Sequence, residues 1–351
     1  MYDNKNKRIN QKRKSKKKAI LVTFYIFLII IVSMVTSGYF YVVNKLNKMQ
    51  QVEISEEELM INEEVKQKLQ NYRNVAIFCV DSREDDLGKG NRSDGIIIAS
   101  LDNKTNDVNL ISVYRDTYLD IEGYGLDKVT HAYSYGSAPL AIATLNRNLD
   151  LNIKEFVTIN FDILVEAVNL LGGVEINVEQ EEIKYLNMYS NTTNVTTSNN
   201  TKSITRPGLQ TLDGMQALSY SRIRYTAGGD YKRTERMRDV MTAILEKAKK
   251  SDVFTINKLL DNVLPDIYTN ISSSEILGLV PSLANYEINT SMGWPYETKG
   301  ITLNAWYGVP VTLETNVQKL HKDMFGADDY EMSTTVKNIN TKIKNKTGYT
   351  K

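Results

Sequence analysis

The sequence predicts a single α/β domain over about residues 72–327. The runs NVAIFCVD (74–81) and DGIIIASLD (94–102) are short and continuously apolar, as expected of strands buried on both faces of a sheet. Apolar residues at helical spacing in 138–149 and 161–171 alternate with such strands. No repeat and no linker composition divides this region, so we assign its strands and helices to one domain.

The other elements of the domain follow from local patterns. DVNLISVYRD (107–116) alternates apolar and polar residues and predicts a third strand. The helix of 161–171 ends at the glycine pair Gly172 and Gly173, and the strand GVEINV begins there. The remaining predictions are a polar surface loop over 189–203, helix over 254–289, closing strands in ITLNAWYGVPVTL (301–313) and a helix over 317–325.

Two segments flank the domain. Residues 44–71 are rich in Glu, Lys and Gln and lack Gly and Pro, which predicts a linker or stalk, either helical or a solvated spacer. Residues 328–351 are polar and predict a frayed C-terminal tail.

An apolar segment near the N-terminus predicts a membrane anchor. Residues 19–43 form a run of 25 residues without a charge, which is long enough to cross a bilayer as a helix. It lacks a small-residue cleavage pattern, so we expect a retained span and no removed signal peptide. The alternative for the basic tail 1–18, a nucleic-acid-binding arm, is disfavoured beside such a run. Basic residues flanking a first span usually stay in the cytoplasm, which predicts a single-pass cell-membrane protein with an extracellular domain.

The composition excludes several kinds of active site. The chain has two histidines, His131 and His321, and one cysteine, Cys79. These cannot form a His/Cys zinc site or a disulfide, and they argue against a Ser-His-Asp or Cys-His triad. No G-x-x-x-x-G-K-[ST] sequence is present, so a nucleotide-binding P-loop is unsupported.

Arginine and aspartate residues occur in pairs at the ends of three predicted strands. Ligands of open α/β sheets bind beyond strand ends, where loops converge, so these pairs predict one site. The pairs are Asp81 with Arg83, Arg92 with Asp94, and Arg115 with Asp116.

A second arginine group occurs in YSRIRYTAGGDYKRTERMRDVM (220–241). Arg222 and Arg224 share a face if that segment is extended, and Arg233 and Arg236 lie on the inward side of a helix that begins near Asp230. Helix N-termini attract anions, so this group predicts a phosphate or diphosphate site, with a surface salt-bridge network as the alternative. We expect Arg238 to face solvent. Asp81 and Asp94 could hold Mg²⁺ or Mn²⁺ bridging to phosphate oxygens.

These blocks, in this order, resemble the LytR-CpsA-Psr family of cell-envelope proteins. The resemblance rests on VDSR, NRSDGIIIASLD, LISVYRDTYLDI, DKVTHAYSYG, VNLLGGVEINV, LDGMQALSYSRIRY and GDYKRTERMR, and it covers about residues 74–250. It implies an α-β-α sandwich with a central mixed sheet and a groove for a polyprenyl chain. It also implies an extracellular phosphotransferase that moves a glycopolymer (wall teichoic acid, capsule or another wall polymer) from polyprenyl pyrophosphate to peptidoglycan.

The resemblance also implies roles for individual residues. The diphosphate-binding arginines of the family match Arg92, Arg115, Arg222 and Arg224, with Arg233 and Arg236 in the later helix block, and its metal-binding acids match Asp81 and Asp94. Arg83 is included by its place beside Asp81. Met237 stands where the family usually has glutamine.

Two questions stay open at this point. Either Asp230 or Asp116 could act as the general base, or both could only orient arginines. The alternatives to a transferase are a protein that binds or senses lipid-linked glycan without catalysis, and a polyprenyl-diphosphate hydrolase. The expected partners are the lipid-linked glycan, peptidoglycan and the membrane, with no nucleic acid.

Overall fold

The computed structural model describes residues 33, 36–82, 87–192, 201–279 and 285–350, which fall into two units, 1–48 and 49–351. In the first unit, residues 36–46 are helical. Within the described ranges, no helix is both long enough and apolar enough to cross a membrane. The basic tail 1–18 and all but residues 33 and 36–43 of the predicted span lie outside those ranges, so the anchor remains a prediction.

A mixed seven-stranded sheet forms the centre of the second unit, in the order β1-β10-β7-β2-β3-β4-β11. β2 pairs with β3, and β3 with β4, in antiparallel fashion, whereas β7 runs parallel to β2, and β11 parallel to β4. The strands of this sheet are β1 (Gln50–Gln51), β2 (Tyr72–Val80), β3 (Ser93–Asp102), β4 (Asp107–Val113), β7 (Glu155–Asn160), β10 (Tyr268–Thr269) and β11 (Glu287–Trp294).

Three small hairpins surround the sheet, each an antiparallel pair. The strand predicted from GVEINV therefore forms, but it pairs in a hairpin outside the central sheet. The hairpin strands are β5 (Tyr118–Ile121) with β6 (Gly125–Lys128), β8 (Val174–Val178) with β9 (Gly208–Leu212), and β12 (Thr298–Thr302) with β13 (Trp306–Pro310).

Helices pack against both faces of the central sheet. The helices are α1 (Glu63–Lys68), α2 (Val129–Leu149), α3 (Phe161–Leu170), α4 (Ile183–Thr192), α5 (Gly214–Ser221), α6 (Gly229–Lys249), α7 (Val253–Asn262), α8 (Ser273–Leu279), α9 (Leu313–Phe325) and α10 (Thr334–Thr347). Tyr133 of α2 packs on Phe78 with ring centroids 5.1 Å apart. Met237 of α6 approaches Gly95, which pairs with Cys79. Because neighbouring strand residues point to opposite faces, α2 and α6 cover opposite sides, and the α-β-α layering follows.

Strand direction gathers several chain ends at one edge of the sheet. β2 and β7 are parallel and end together, at Val80 and Asn160. The antiparallel β3 begins at that same edge with Ser93, and β4 ends there at Val113. Residues just beyond these four ends therefore come close together, as the strand-end pattern of the sequence predicts.

The structure corrects three expectations about chain organisation. From Met49 onward, the expected linker belongs to the main unit, and Leu59 and Val65 are part of the hydrophobic core. The expected frayed tail forms α10, whose Val336 and Ile339 are also in the core. The helix expected over 254–289 is instead the two short helices α7 and α8, the short strand β10 between them and the start of β11.

Candidate functional site

A pocket of about 190 Å³ opens at the edge where β2 ends and β3 begins. Its walls combine charged and apolar side chains. Three arginines and two aspartates carry the charges, and a group of apolar side chains lies beside them. The lining residues are Asp81, Asp94, Gly95, Ile96, Ile97, Phe161, Tyr189, Ser221, Arg222, Arg224, Arg233, Thr234 and Met237. Such a pocket suits a ligand that is anionic at one end and apolar at the other.

Asp81 and Asp94 line the same pocket, as the pairing of β2 with β3 requires. Asp81 is exposed just beyond β2, and Asp94 is the second residue of β3. Among the residues with defined positions, no group of three or more His, Cys, Asp or Glu side chains could hold a metal by itself. Two carboxylates are nevertheless the usual protein share of a Mg²⁺ site that phosphate and water complete, so these two residues fit that ion.

Arg115 links the residues at the strand ends to α6, the helix that carries Arg233. Its Nη1 donates to Asp94 Oδ1 at 2.6 Å, and its Nε lies 3.5 Å from Asp116 Oδ2 and 3.9 Å from Asp230 Oδ2. Asp116 in turn accepts from Lys128 Nζ at 2.6 Å. Arg115 therefore holds the carboxylates of β3, of the loop after β4 and of α6 in one network.

Asp230 lies among three arginines at the start of α6. Its Oδ1 is 3.6 Å from Arg224 Nε, and its Oδ2 is 3.2 Å from Arg233 Nη2 and 3.9 Å from Arg115. One carboxylate thus contacts three guanidinium groups, and of these only Arg115 also pairs with Asp94 and Asp116. Among the described residues, Arg224 and Arg233 have no carboxylate other than Asp230 within ion-pair distance, which favours binding of an anion beside them.

The effect of sharing Asp230 is evident at Arg233, which is only 5% exposed. Burial, together with the positive charges of Arg115 and Arg224, lowers the pKa of Arg233 to about 10, against the attraction of Asp230 and Asp94. An anion in the pocket would offset both effects, because it would replace the hydration that Arg233 loses on burial and would reduce the repulsion between the arginines.

Arg222 lies at the other side of the pocket, over aromatic rings. Its guanidinium carbon is 5.3 Å from the Phe161 ring centroid and 5.8 Å from that of Tyr189. The segment around Arg222 is not extended as the sequence argument supposed: Arg222 caps α5 with helical backbone angles. Arg222 and Arg224 nevertheless line the same pocket, because the chain turns there between α5 and α6.

Two arginines of α6 differ from expectation. Arg236 is fully buried outside the pocket lining, where it pairs with Glu182 at 2.6 Å and donates to Ile223 O and Thr226 Oγ1. Its counter-charge is a protein carboxylate, and the structure does not bring it together with the pocket arginines as the sequence predicted. Arg238 is also buried, where solvent was expected, and donates to Ser291 and Ser112.

The remaining predicted residues have separate positions. Arg92 is exposed and is not part of the pocket lining, and Arg83 lies outside the described residues. The lining side chains that were not predicted from the sequence include Phe161, Tyr189 and Met237. Tyr189 falls in the segment expected to be a loop, where α4 in fact continues through Thr192. Apolar spacing could not distinguish them from core residues.

The pocket can be compared with known proteins through the chain that forms it. A model of the LytR_cpsA_psr family matches residues 36–324, well over half of the sequence. The chain belongs to this family. Membership accounts for the ordered sequence blocks from the end of β2 to the arginine helix.

Two curated relatives and one solved structure illustrate the family. The chain is 30% identical over 233 residues to the TagT polyisoprenyl-teichoic acid–peptidoglycan teichoic acid transferase of Bacillus subtilis, covering 65% of this chain and 70% of that one. It is 36% identical over 205 residues to the TagU transferase of the same description from Enterococcus faecalis, covering 58% and 62%. The matched part thus spans less than two thirds of that TagU. A structure of TagT with bound octaprenyl pyrophosphate lipid shares the fold, with a TM-score of 0.55 and 23% identity over 73% of this chain and 92% of that one.

Proposed function

We propose that this protein transfers a glycopolymer from a polyprenyl-pyrophosphate carrier to peptidoglycan and leaves it attached through a phosphodiester. The observation that supports this most directly is the pocket itself, in which Arg222, Arg224 and Arg233 adjoin an apolar wall. A prenyl diphosphate has the matching division between charged head and apolar chain. The relatives described above are named as teichoic acid transferases of this kind.

The arginines would bind and polarise the diphosphate. Arg222, Arg224 and Arg233 face the pocket, and Arg115 is within reach through Asp94. Phosphoryl transfer needs mainly positioning and stabilisation of charge, which guanidinium groups supply. When bound between Asp81 and Asp94, Mg²⁺ would neutralise part of the diphosphate charge.

The bond changes are those of an in-line displacement at the phosphorus next to the glycan. An acceptor sugar hydroxyl forms the new P–O bond, the bond to the bridging oxygen breaks, and polyprenyl phosphate leaves with that electron pair. The hydroxyl proton passes to a base. The arginines stabilise the charge that builds on the departing phosphate.

Asp116 and Asp230 are suited to different tasks. Asp230 contacts three arginines and would act as a positioning residue. Asp116 contacts only Arg115 among these arginines and pairs with Lys128, and we assign the proton to it. Asp116→Asn should therefore lower transfer while donor binding is retained, whereas Asp230→Asn should weaken donor binding as well.

We also propose that residues 19–43 anchor the protein in the cell membrane with the domain outside. Tethering would confine the enzyme to the surface that carries its lipid substrate and so raise their effective concentration.

The test is a transfer assay with the full-length protein in detergent. Mg²⁺, a polyprenyl-pyrophosphoryl oligosaccharide and nascent peptidoglycan are supplied, and phosphorus-containing products are identified by mass spectrometry. We expect glycan joined to muramic acid through phosphate, together with polyprenyl phosphate. Arg222→Ala should lower the rate by at least two orders of magnitude, while Arg206→Ala, an exposed arginine outside the pocket lining, should not.

Two outcomes would contradict the proposal. Release of free glycan phosphate without attachment would indicate a hydrolase that uses water as the acceptor. Lipid that stays bound and unconverted across several acceptors would indicate a binding or sensing protein.

A further inference from the structure

An exposed aromatic residue, Trp306, lies on the hairpin β12–β13 beside the arginine network. Trp306 is 46% exposed, whereas the other tryptophan, Trp294, is fully buried. Gly300 and Gly308 face each other across the hairpin. A Cβ added at Gly300 would lie 2.8 Å from Trp306 Nε1, and one added at Gly308 would lie 3.5 Å from Trp306 Cη2. One side of the indole is thus supported by the hairpin backbone, and nearly half of the side chain is open to solvent.

Two contacts fix this hairpin next to the arginines. Gly308 N donates to Asp116 O at 3.0 Å, directly beside Arg115. Tyr231, which follows Asp230, forms a 2.7 Å hydrogen bond with Thr298 of β12. Trp306 is therefore placed by residues adjoining both Arg115 and Asp230.

A second group of aromatic and polar side chains lies around Lys128, which pairs with Asp116. The Lys128 ammonium lies 5.7 Å from the Tyr307 ring centroid. Asp127 accepts hydrogen bonds from His131 Nδ1 at 2.9 Å and from the Tyr135 hydroxyl at 2.8 Å.

An exposed ring completes this group. Tyr135 stacks on Tyr124 with centroids 4.3 Å apart and planes 13° apart, and Tyr124 remains 55% exposed. Gly125, next to Tyr124, is three residues along β6 from Lys128, which is roughly 10 Å at the usual strand rise. That separation is comparable with the length of a disaccharide.

The position of the surface indicates which substrate it meets. Ion pairs run from Arg224 through Asp230, Arg115 and Asp116 to Lys128. The apolar part of the pocket, with Phe161 and Tyr189, lies around Arg222. In an in-line displacement the acceptor approaches from the side opposite the departing lipid phosphate. The acceptor hydroxyl must also come close to Asp116, to which its proton is assigned, so the groups around Asp116 and Lys128 would meet the acceptor.

We propose that Trp306, Tyr124 and Tyr135, with the polar group of Asp127 and His131, bind the glycan strand of peptidoglycan that accepts the transferred polymer. Aromatic faces pack on the apolar faces of sugar rings, and carboxylate, imidazole and phenol groups bind their hydroxyl and amide groups. This inference rests on the proposed function, because it assigns the acceptor of that same reaction.

Binding can be measured without turnover. Because Trp294 is buried, the tryptophan fluorescence that responds to contact with solvent comes from Trp306. The full-length protein in detergent is titrated with an oligosaccharide of alternating N-acetylglucosamine and N-acetylmuramic acid. We expect a saturable blue shift that disappears in Trp306→Phe. No spectral change at millimolar saccharide would overturn the proposal.

Transfer kinetics give an independent test. Trp306→Ala should raise the KM for the saccharide acceptor about tenfold and leave donor-lipid affinity within twofold of wild type. Phe254→Ala, which removes an 83% exposed ring on α7, is the matched control and should change neither. An equal loss of donor affinity in Trp306→Ala would show that the indole only covers its two glycines and would refute the assignment. If the wild-type protein shows the Trp306-dependent fluorescence shift but transfers no glycan, the saccharide-binding surface is supported and the proposed transferase function is refuted.

Discussion

Arg233 and Arg236 lie one turn apart on α6 and are both buried, yet they should respond in opposite ways to the same substitution. Arg233 shares one carboxylate with two other arginines, and its pKa is lowered from 12.5 to about 10. At neutral pH the charged Arg233 therefore destabilises the folded state by about 3 kcal/mol, relative to an arginine whose pKa is not lowered. Arg236, in contrast, is paired with the buried Glu182.

Substitution by methionine tests this contrast. Arg233→Met removes the unfavourable charge but also the contacts of Arg233 with Asp230 and Asp94 O, so we expect a net gain of about 1–2 kcal/mol and a melting temperature a few degrees higher. Arg236→Met leaves Glu182 buried without its partner and should lose about 3–5 kcal/mol. Thermal unfolding of the full-length proteins in detergent, followed by circular dichroism, measures both.

Inorganic pyrophosphate separates function from stability in the same assay. A ligand at 100 times its Kd stabilises the folded state by about 2.7 kcal/mol. We expect such a rise in the wild type and none in Arg233→Met. If Arg233→Met instead destabilises the protein as much as Arg236→Met does, Arg233 is a structural residue and the argument from unbalanced charge is wrong.

Three further predictions concern residues that do not line the pocket. Burial lowers the pKa of His321 from 6.5 to about 4, so as the pH falls His321 becomes protonated in the unfolded chain before it does in the folded protein. The free energy of unfolding should therefore fall by about 3 kcal/mol between pH 6.5 and 4. His321→Asn should flatten that part of the plot of stability against pH. Burial, with the charge of Asp94, raises the pKa of the Cys79 thiol to about 12, so it should react with Ellman's reagent at pH 8 only after unfolding. Deletion of residues 328–351 removes Val336 and Ile339 from the core, so we expect the truncated protein to aggregate. Deletion of residues 349–351 should leave the protein unaggregated, and size-exclusion chromatography distinguishes the two results.

The sequence was sufficient for features that depend on local periodicity. The strand ending at Val80 has a continuous apolar pattern and the strand ending at Val113 an alternating one, and their shared edge follows from the pairing of β2, β3 and β4. The meeting of Asp81, Asp94 and Arg115 was therefore predictable. The start of α6 was also predicted within one residue of Asp230.

Features that depend on distant partners were not predictable in the same way. Arg233 and Arg236 both point inward, and only the position of Glu182, 54 residues away, separates a pocket arginine from a structural one. The tail was missed because Val336, Ile339 and Ile343 are isolated among lysines and asparagines, although their spacing is helical. Charge and apolar content alone do not reveal a single buried stripe.

The buried pair of Arg236 and Glu182 also affects how the pocket meets its ligand. Arg236 donates to Ile223 O and Thr226 Oγ1, on either side of Arg224, and so fastens the loop between α5 and α6 from beneath. The loop is preorganised before any anion arrives. Little reorganisation energy is then needed as charge develops during the reaction, which is the condition under which fixed dipoles and cations catalyse best. An arginine that never touches the substrate can in this way set the rate at which its neighbours act on it.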